Sequence, residues 1–115
     1  MQLITLSFVG RALSFNALTT LPATLLHPLA DVVSVNFARN KLTELPAGLL
    51  AQTNFVEVVS FNDNELTALP ATLFASTYLL KSASFSNNRL TVLSANLLDF
   101  TALLTTLFVS GDVFI

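Results

Sequence analysis

A six-residue motif, N-x-L-T-x-L, recurs four times along the chain with constant spacing. Its copies occupy residues 16–21, 40–45, 64–69 and 88–93, so each begins 24 residues after the one before. A fixed period of roughly 20 to 50 residues is typical of solenoids, in which each repeat is one supersecondary unit stacked on the next. The motif therefore predicts a stack of similar coils in which each repeat buries its apolar face against its neighbours.

The apolar residues follow the same period. We number each repeat from the start of its predicted strand, so that the recurrent asparagine is position 9 and full repeats begin at Val32, Val56 and Leu80. Positions 1, 4, 6 and 11 are then apolar in every full repeat. Positions 4 and 6 show the alternation of a half-buried strand. The side chains at position 6 are predicted to stack in the core: Phe37, Phe61 and Phe85.

The repeat L-x-x-L-x-L-x-x-N-x-L, followed in two repeats by Leu-Pro-Ala-Thr-Leu, resembles the leucine-rich repeat and, by its 24-residue period, the "typical" class of that family. The resemblance implies an α/β-type solenoid. It would be a curved leucine-rich repeat array with a parallel β-sheet on the concave face and turns, 3-10 pieces or short helices on the convex face. It also implies a structural asparagine ladder at position 9, formed by Asn16, Asn40, Asn64 and Asn88.

The 115 residues form one predicted domain, 1–115, with repeats at about 3–31, 32–55, 56–79 and 80–103 and a partial repeat at 104–115. Counting back from Asn16 would place Arg11 at a core position, where an unpaired charge is costly. Aligning Leu6 and Phe8 to positions 4 and 6 avoids this and leaves a five-residue insertion within residues 9–15. Solenoids need polar terminal repeats, and neither end has one. We therefore expect a longer array or assembly, with end-to-end contacts to itself or to other chains.

Position 22, at which the family usually has leucine, is threonine in three repeats. Leu29 follows the family pattern, whereas Thr53, Thr77 and Thr101 depart from it. Large apolar residues stand two places later, at position 24. We expect these residues to supply the missing core volume: Phe55, Leu79 and Leu103.

Charge and composition exclude several classes of function. Only 10% of the residues are charged, against about 25% in a typical soluble domain, and the net charge is −2. No basic block is present, so we expect no nucleic-acid partner. No run reaches the roughly 18 apolar residues of a membrane span, so we expect no membrane insertion. Cysteine is absent, His27 has no paired carboxylates near it in sequence, and no catalytic or nucleotide-binding motif occurs. The sequence predicts a non-enzymatic protein with no catalytic residues, cofactor or metal.

The few charges are arranged in opposition along the array. Equivalent positions in adjacent repeats lie about 4.8 Å apart across a parallel sheet. We therefore expect ion pairs between Glu57 and Lys81 at position 2, between Arg39 and Asp63 at position 8, and along Lys41, Glu65 and Arg89 at position 10. Each exposed pair contributes roughly 0–1 kcal/mol.

By resemblance to its family, the chain is expected to bind a protein partner on its concave face, through the outward strand positions 2, 3, 5, 7 and 8. The partner-binding residues predicted there are Asn36, Arg39, Glu57, Ser60, Asn62, Asp63, Lys81, Ser84, Ser86 and Asn87. Family resemblance also favours an extracellular or cell-surface location.

Two alternatives remain at this point. The apolar ends and low charge are also consistent with a structural segment of a larger assembly, whose bare solenoid ends are covered by neighbouring chains. A more remote alternative is ice or carbohydrate binding through regular threonine and asparagine rows. Position 12 supplies such a row: Thr19, Thr43, Thr67 and Thr91.

Overall fold

A single parallel sheet runs the length of the molecule. The computed structural model describes residues 4–7, 18–29 and 31–112. The strands lie side by side in chain order, all parallel: β1 Ile4–Ser7, β2 Val32–Asn36, β3 Val58–Ser60, β4 Ser82–Ser84 and β5 Thr106–Phe108. Val35 lies opposite Val59, and Val59 lies opposite Ala83, each 24 residues further on. The parallel sheet and the curved solenoid predicted from the repeat are confirmed.

The first strand pairs with β2 through an irregularity. The register shifts between Ile4 and Thr5, and beyond the shift Leu6 lies opposite Val35. These two residues are 29 apart (35 − 6), five more than the repeat period. The insertion expected within residues 9–15 lies outside the described residues, as does Asn16.

The core lies between the sheet and the convex turns. In the second repeat Val32, Val35 and Phe37, at positions 1, 4 and 6, are all buried. The ring centroid of Phe61 lies 5.4 Å from that of Phe37 and 5.4 Å from that of Phe85, and the rings are nearly parallel. Each repeat therefore packs mainly on its neighbours, as expected for a solenoid.

Turns form the convex side, and the described residues contain no helix. In each repeat, backbone N–H groups donate to the carbonyl three residues earlier. In the second repeat these bonds run from Leu49 to Pro46, from Ala51 to Gly48 and from Thr53 to Leu50. Because the bonds fall on every second residue, they close separate turns rather than a continuous 3-10 helix, which needs consecutive bonds of this kind.

The expectation that position 24 fills the core is wrong. Phe55, Leu79 and Leu103 are 41%, 36% and 47% exposed. The threonines at position 22 are buried in their place, and the Thr53 hydroxyl donates to the Leu50 carbonyl at 3.1 Å. Thr77 and Thr101 make the same bond. The short threonine side chain lets the turn close over it, and the hydroxyl is satisfied locally, as a buried polar group must be.

The chain leaves each of the strands β2 to β5 through a left-handed residue at position 8. The φ angles of Arg39, Asp63 and Asn87 are 60°, 60° and 59°, and that of Gly111 is 81°. At Gly111 an added Cβ would also collide with the Oδ1 of Asn87. This conformation costs a side-chain-bearing residue energy, least for Asn and Asp.

Candidate protein-binding face

On the concave face, backbone hydrogen bonds between adjacent repeats continue past the ends of the short strands. The Phe37 N–H donates to the Ser60 carbonyl at 2.8 Å, and the Arg39 N–H donates to the Asn62 carbonyl at 2.9 Å. The same two bonds recur between the third and fourth repeats and between the fourth and fifth. Backbone pairing thus continues to position 8, so the outward side chains are held in place before any partner arrives. Such pre-organisation lowers the entropic cost of binding.

The ten partner-binding residues predicted from the sequence are all half-buried or exposed. Many of them bond to one another across adjacent repeats. Asn62 Oδ1 accepts bonds from the Ser84 hydroxyl and, at 2.7 Å, from the Ser86 N–H. Asn87 Nδ2 donates to Asp63 Oδ1 at 2.9 Å. These polar groups therefore form a connected surface whose orientation is fixed.

Two of the expected ion pairs form. Lys81 Nζ lies 3.0 Å from Glu57 Oε1, and an Arg89 guanidinium nitrogen lies 3.1 Å from Glu65 Oε1. Within the described residues these are the ion pairs closer than 4 Å, so the expected pairings of Arg39 with Asp63 and of Lys41 with Glu65 are wrong. Arg39 and Asp63 both stand at the left-handed position 8, and Asp63 instead accepts a hydrogen bond from Asn87 of the next repeat.

Two apolar side chains on this face were missing from the sequence prediction. Val58, at position 3, is 42% exposed, and Phe108, at position 5, is 53% exposed. Hydroxyl-bearing residues lie opposite them on β4: Ser82 beside Val58, and Ser84 beside Phe108. The repeat numbering already places both apolar residues at outward positions. A search that included apolar residues at positions 2, 3, 5, 7 and 8 would have found them.

Buried asparagines support the edge of the face. Asn64 Nδ2 donates to the carbonyls of Phe37 and Phe61, at 3.0 Å each, and its Oδ1 accepts from the Leu42 N–H at 3.1 Å. Asn88 repeats this pattern one repeat further on. Asn40 is buried likewise, and its Oδ1 accepts from the Leu18 N–H. Each side chain thus joins two repeats at the point where the chain turns away from the sheet.

Asp112 takes the asparagine's place in the fifth repeat. Its Oδ1 accepts from the Leu90 N–H at 2.9 Å, as the equivalent atom does in Asn64 and Asn88. Its Oδ2 is buried and has no hydrogen-bond partner. The atom that donates in the other repeats is here an acceptor, so the ladder is incomplete at this end.

The threonines at position 12 are all exposed. Position 13 beside them is also exposed, but its residues differ in every repeat: Thr20, Glu44, Ala68 and Val92. The threonine row is therefore one residue wide and lacks a uniform second row.

Solved leucine-rich repeat structures superpose on the chain. The leucine-rich repeat domain of APL1B matches with a TM-score of 0.84 and 20% identity, over 93% of this chain and 31% of that one. The APL1 leucine-rich repeat domain matches with a TM-score of 0.87 and 19% identity, over 96% of this chain and 28% of that one. The chain is a leucine-rich repeat array. No family sequence profile and no curated protein sequence matches it.

A third match has higher sequence identity. The array superposes on a chain in the glycosylated form of the Toll–Spatzle complex, described as a molecular hub in Drosophila development and innate immunity. The TM-score is 0.83 and the identity 31%, over 88% of the array and 14% of that chain. The array spans about a third or less of the length of each of these three solved chains.

Two further features concern what the face could hold. In the part of the chain that the structure describes, no three His, Asp or Glu side chains are grouped closely enough to bind a metal ion. Over the same residues, there is no helix with the length and apolar character needed to cross a bilayer.

Proposed function

We propose that this leucine-rich repeat array is a non-enzymatic interaction module that binds a protein partner on its concave face. The observation that carries the proposal is Phe108, an aromatic side chain 53% exposed on a pre-organised sheet surface. Aromatic anchors are enriched among the few residues that dominate binding energy at protein interfaces. Val58 is the second exposed apolar residue on the same face.

The polar residues around these anchors have a different role. Asn62, Ser84 and Ser86 bond to one another, so they present a fixed pattern of donors and acceptors around the anchors. The charges of Glu57 and Lys81 offset each other at 3.0 Å. Because paired charges produce little long-range field, we expect binding on this face to depend weakly on salt concentration.

The third structural match supports a protein partner in general terms. The chain that it superposes on belongs to a complex between Toll and Spatzle, and the array is 31% identical to that chain over 88% of its own length. We extend the proposal to an extracellular or cell-surface location, on the same family resemblance.

The test has two steps: the immobilised array captures a partner protein, and the affinity of the purified partner for the array is then measured. The immobilised array would be exposed to medium and extract from its source cells, beside the double variant Val58→Ser/Phe108→Ser and the control Val92→Ser. Val92 is 65% exposed at position 13, away from the concave face. We expect a protein held by the wild type and the control but lost from the double variant. Calorimetry with that purified protein should then show about tenfold weaker binding for Phe108→Ser alone. Equal retention by the double variant would overturn the proposal.

A second candidate role, as a covered segment of a larger assembly, is favoured by apolar side chains of the fourth and fifth repeats. Leu104, Leu107 and Val109 are half-buried, although positions 1, 4 and 6 are fully buried in the inner repeats. Leu98 is 40% exposed, whereas Leu50 and Phe74 at the same position are buried. Light scattering on the 115-residue chain separates the candidates. A monomer favours the free module, and a concentration-dependent oligomer favours the covered segment.

A further inference from the structure

A second apolar surface lies outside the concave face. We call it the lateral row: Phe55, Leu79 and Leu103, which occupy position 24 in three successive repeats. Tyr78, which directly precedes Leu79, is 55% exposed. Its ring packs edge to face on that of Phe100, which is 53% exposed, with the ring centroids 6.5 Å apart. The repeat needs no large side chain here, because the buried threonine at position 22 already closes the turn. The row therefore has no role in the core.

The row is regular because the backbone around it is the same in each repeat. Val56, Leu80 and Leu104, which directly follow it, each donate an N–H to the position-22 threonine carbonyl three residues earlier, at 3.2, 3.1 and 3.0 Å. Adjacent repeats are also joined beside the row, where the Lys81 N–H donates to the Glu57 carbonyl at 2.8 Å. The three side chains of the row are thus presented at successive steps of the array.

The step of the array matches one kind of partner. Adjacent parallel strands lie about 4.8 Å apart, the stacked core rings of adjacent repeats lie 5.4 Å apart, and an α-helix advances about 5.4 Å per turn. A helix lying along the array would place one side chain per turn against each row residue. An extended strand repeats its side chains on one face only every ~6.7 Å, so it loses register across three repeats.

Charge around the row selects the chemistry of that helix. Asp31 takes position 24 in the first repeat and is exposed at one end of the row, and Asp99 is exposed on the fourth repeat. Positions 14–24 of the four repeats, residues 21–31, 45–55, 69–79 and 93–103, contain no Lys or Arg. The cation nearest in sequence to Leu79 is Lys81, which is already paired with Glu57.

We propose that the lateral row is a docking site for a basic amphipathic helix of a partner protein, with apolar side chains at i, i+4 and i+7 and a Lys or Arg facing Asp31. A second copy of the chain fits less well. Taking about 200 Å² for a full aromatic side chain and slightly less for leucine, the row and its two aromatic neighbours expose on the order of 450 Å², against about 800 Å² per partner in a stable interface. A two-fold dimer would also bring like-charged aspartates together.

Two synthetic peptides of identical composition test the proposal. One carries three leucines at i, i+4 and i+7 among lysines and alanines. The other carries them at i, i+2 and i+4, the period of a strand. Fluorescence anisotropy would measure the binding of each to the folded array. We expect the helical peptide to bind at least tenfold more tightly, and more weakly as salt rises, because part of the attraction is ionic.

Variants of the array place the peptide on the row. Leu79→Ser and Phe55→Ser should each weaken binding about tenfold, and Asp31→Asn should weaken it a few-fold at low salt. Val92→Ser, at a more exposed apolar residue elsewhere, and Phe108→Ser on the concave face should leave it within twofold. Circular dichroism would confirm that the variants are folded, as the exposure of these side chains leads us to expect.

Several results would overturn the proposal. They are the absence of helical-peptide binding, equal binding of both peptides, and binding that Leu79→Ser and Phe55→Ser leave unchanged. Light scattering tests the alternative of a dimer. If the wild type is a dimer that Leu79→Ser dissociates, the row is the interface with a second copy of the chain. Loss of peptide binding in Phe108→Ser alone would assign the peptide to the concave face.

Discussion

At the scale of the residue, the asparagines at position 9 carry the most interactions. The amide of Asn64 meets two buried carbonyls and one buried N–H from two different repeats. A buried backbone group left without a partner costs about 1–3 kcal/mol. One side chain therefore prevents several such penalties. This explains why an asparagine recurs at a buried position whose bonding partners, Phe37, Phe61 and Leu42, have apolar side chains.

We predict that Asn64→Leu lowers the free energy of unfolding by about 3 kcal/mol or more, because leucine can neither donate to the Phe37 and Phe61 carbonyls nor accept from Leu42. Urea denaturation followed by circular dichroism would measure the change. Asn54→Leu is the matched control, since Asn54 is exposed and should change stability by less than about 0.5 kcal/mol. Equal stability of the wild type and Asn64→Leu would refute a structural role for the ladder.

The opposite change is expected at Asp112. Its Oδ2 is buried without a partner, at the place where Asn64 and Asn88 have a donating amide. Asp112→Asn should supply that donor and raise the free energy of unfolding by about 1–2 kcal/mol. Asp99→Asn removes the same charge from an exposed site and serves as the control. A stability that rises equally in both variants would indicate a net-charge effect and contradict the local explanation.

At the scale of the element, the turns that follow strands β2 to β5 each contain a residue with positive φ. Position 8 is left-handed in four repeats, and three of its residues suit that conformation: Asp63, Asn87 and Gly111. Arg39 does not. We predict that Arg39→Gly stabilises the chain by about 1 kcal/mol, because glycine adopts positive φ without steric cost. Lys41→Gly, two residues on, should instead destabilise by about 0.5–1 kcal/mol. Thermal unfolding of both variants tests the contrast, and a lower Tm for Arg39→Gly would contradict it.

The strands and the inward side of each repeat could be predicted from sequence, because a 24-residue period repeated four times fixes which positions stack. Phe37, Phe61 and Phe85 illustrate this. A large apolar residue that recurs at one strand position is expected on the side of the sheet that faces the core. The convex turns could not be predicted in the same way. Sequence gives the volumes of Thr77 and Leu79 but not which of them the turn encloses. The hydroxyl bond from Thr77 to the Phe74 carbonyl decided that choice.

The sequence predicted which strand positions form the candidate site better than it predicted which side chains there are apolar or paired. The outward strand positions followed from the period, and the polar residues on them are accessible. Phe108 was missed because the predicted set, Asn36 to Asn87, holds only polar residues and stops before the fifth repeat. The pairing of Arg39 with Asp63 was expected from the spacing of adjacent repeats, which does not show that Asp63 bonds instead to Asn87 of the following repeat.

At the scale of the whole molecule, stability is a sum of contacts between neighbouring repeats. The inner repeats are covered on both sides, and Val59 and Phe61 are completely buried. The fifth repeat is covered on one side, and its Leu107 and Val109 are half-buried. We therefore predict that the fifth repeat unfolds locally, before the rest of the array unfolds.

Two matched amides make that prediction measurable. The Phe61 N–H donates to Ser84 and the Phe85 N–H donates to Phe108, both at 2.8 Å and both at position 6. Opening the fifth repeat frees the Phe85 amide, whereas freeing the Phe61 amide requires the fourth repeat to open as well. We predict that the Phe85 amide exchanges with solvent at least tenfold faster in native-state hydrogen exchange. Equal rates would mean that the five strands open together, because the chain would then behave as one cooperative unit rather than as a linear array.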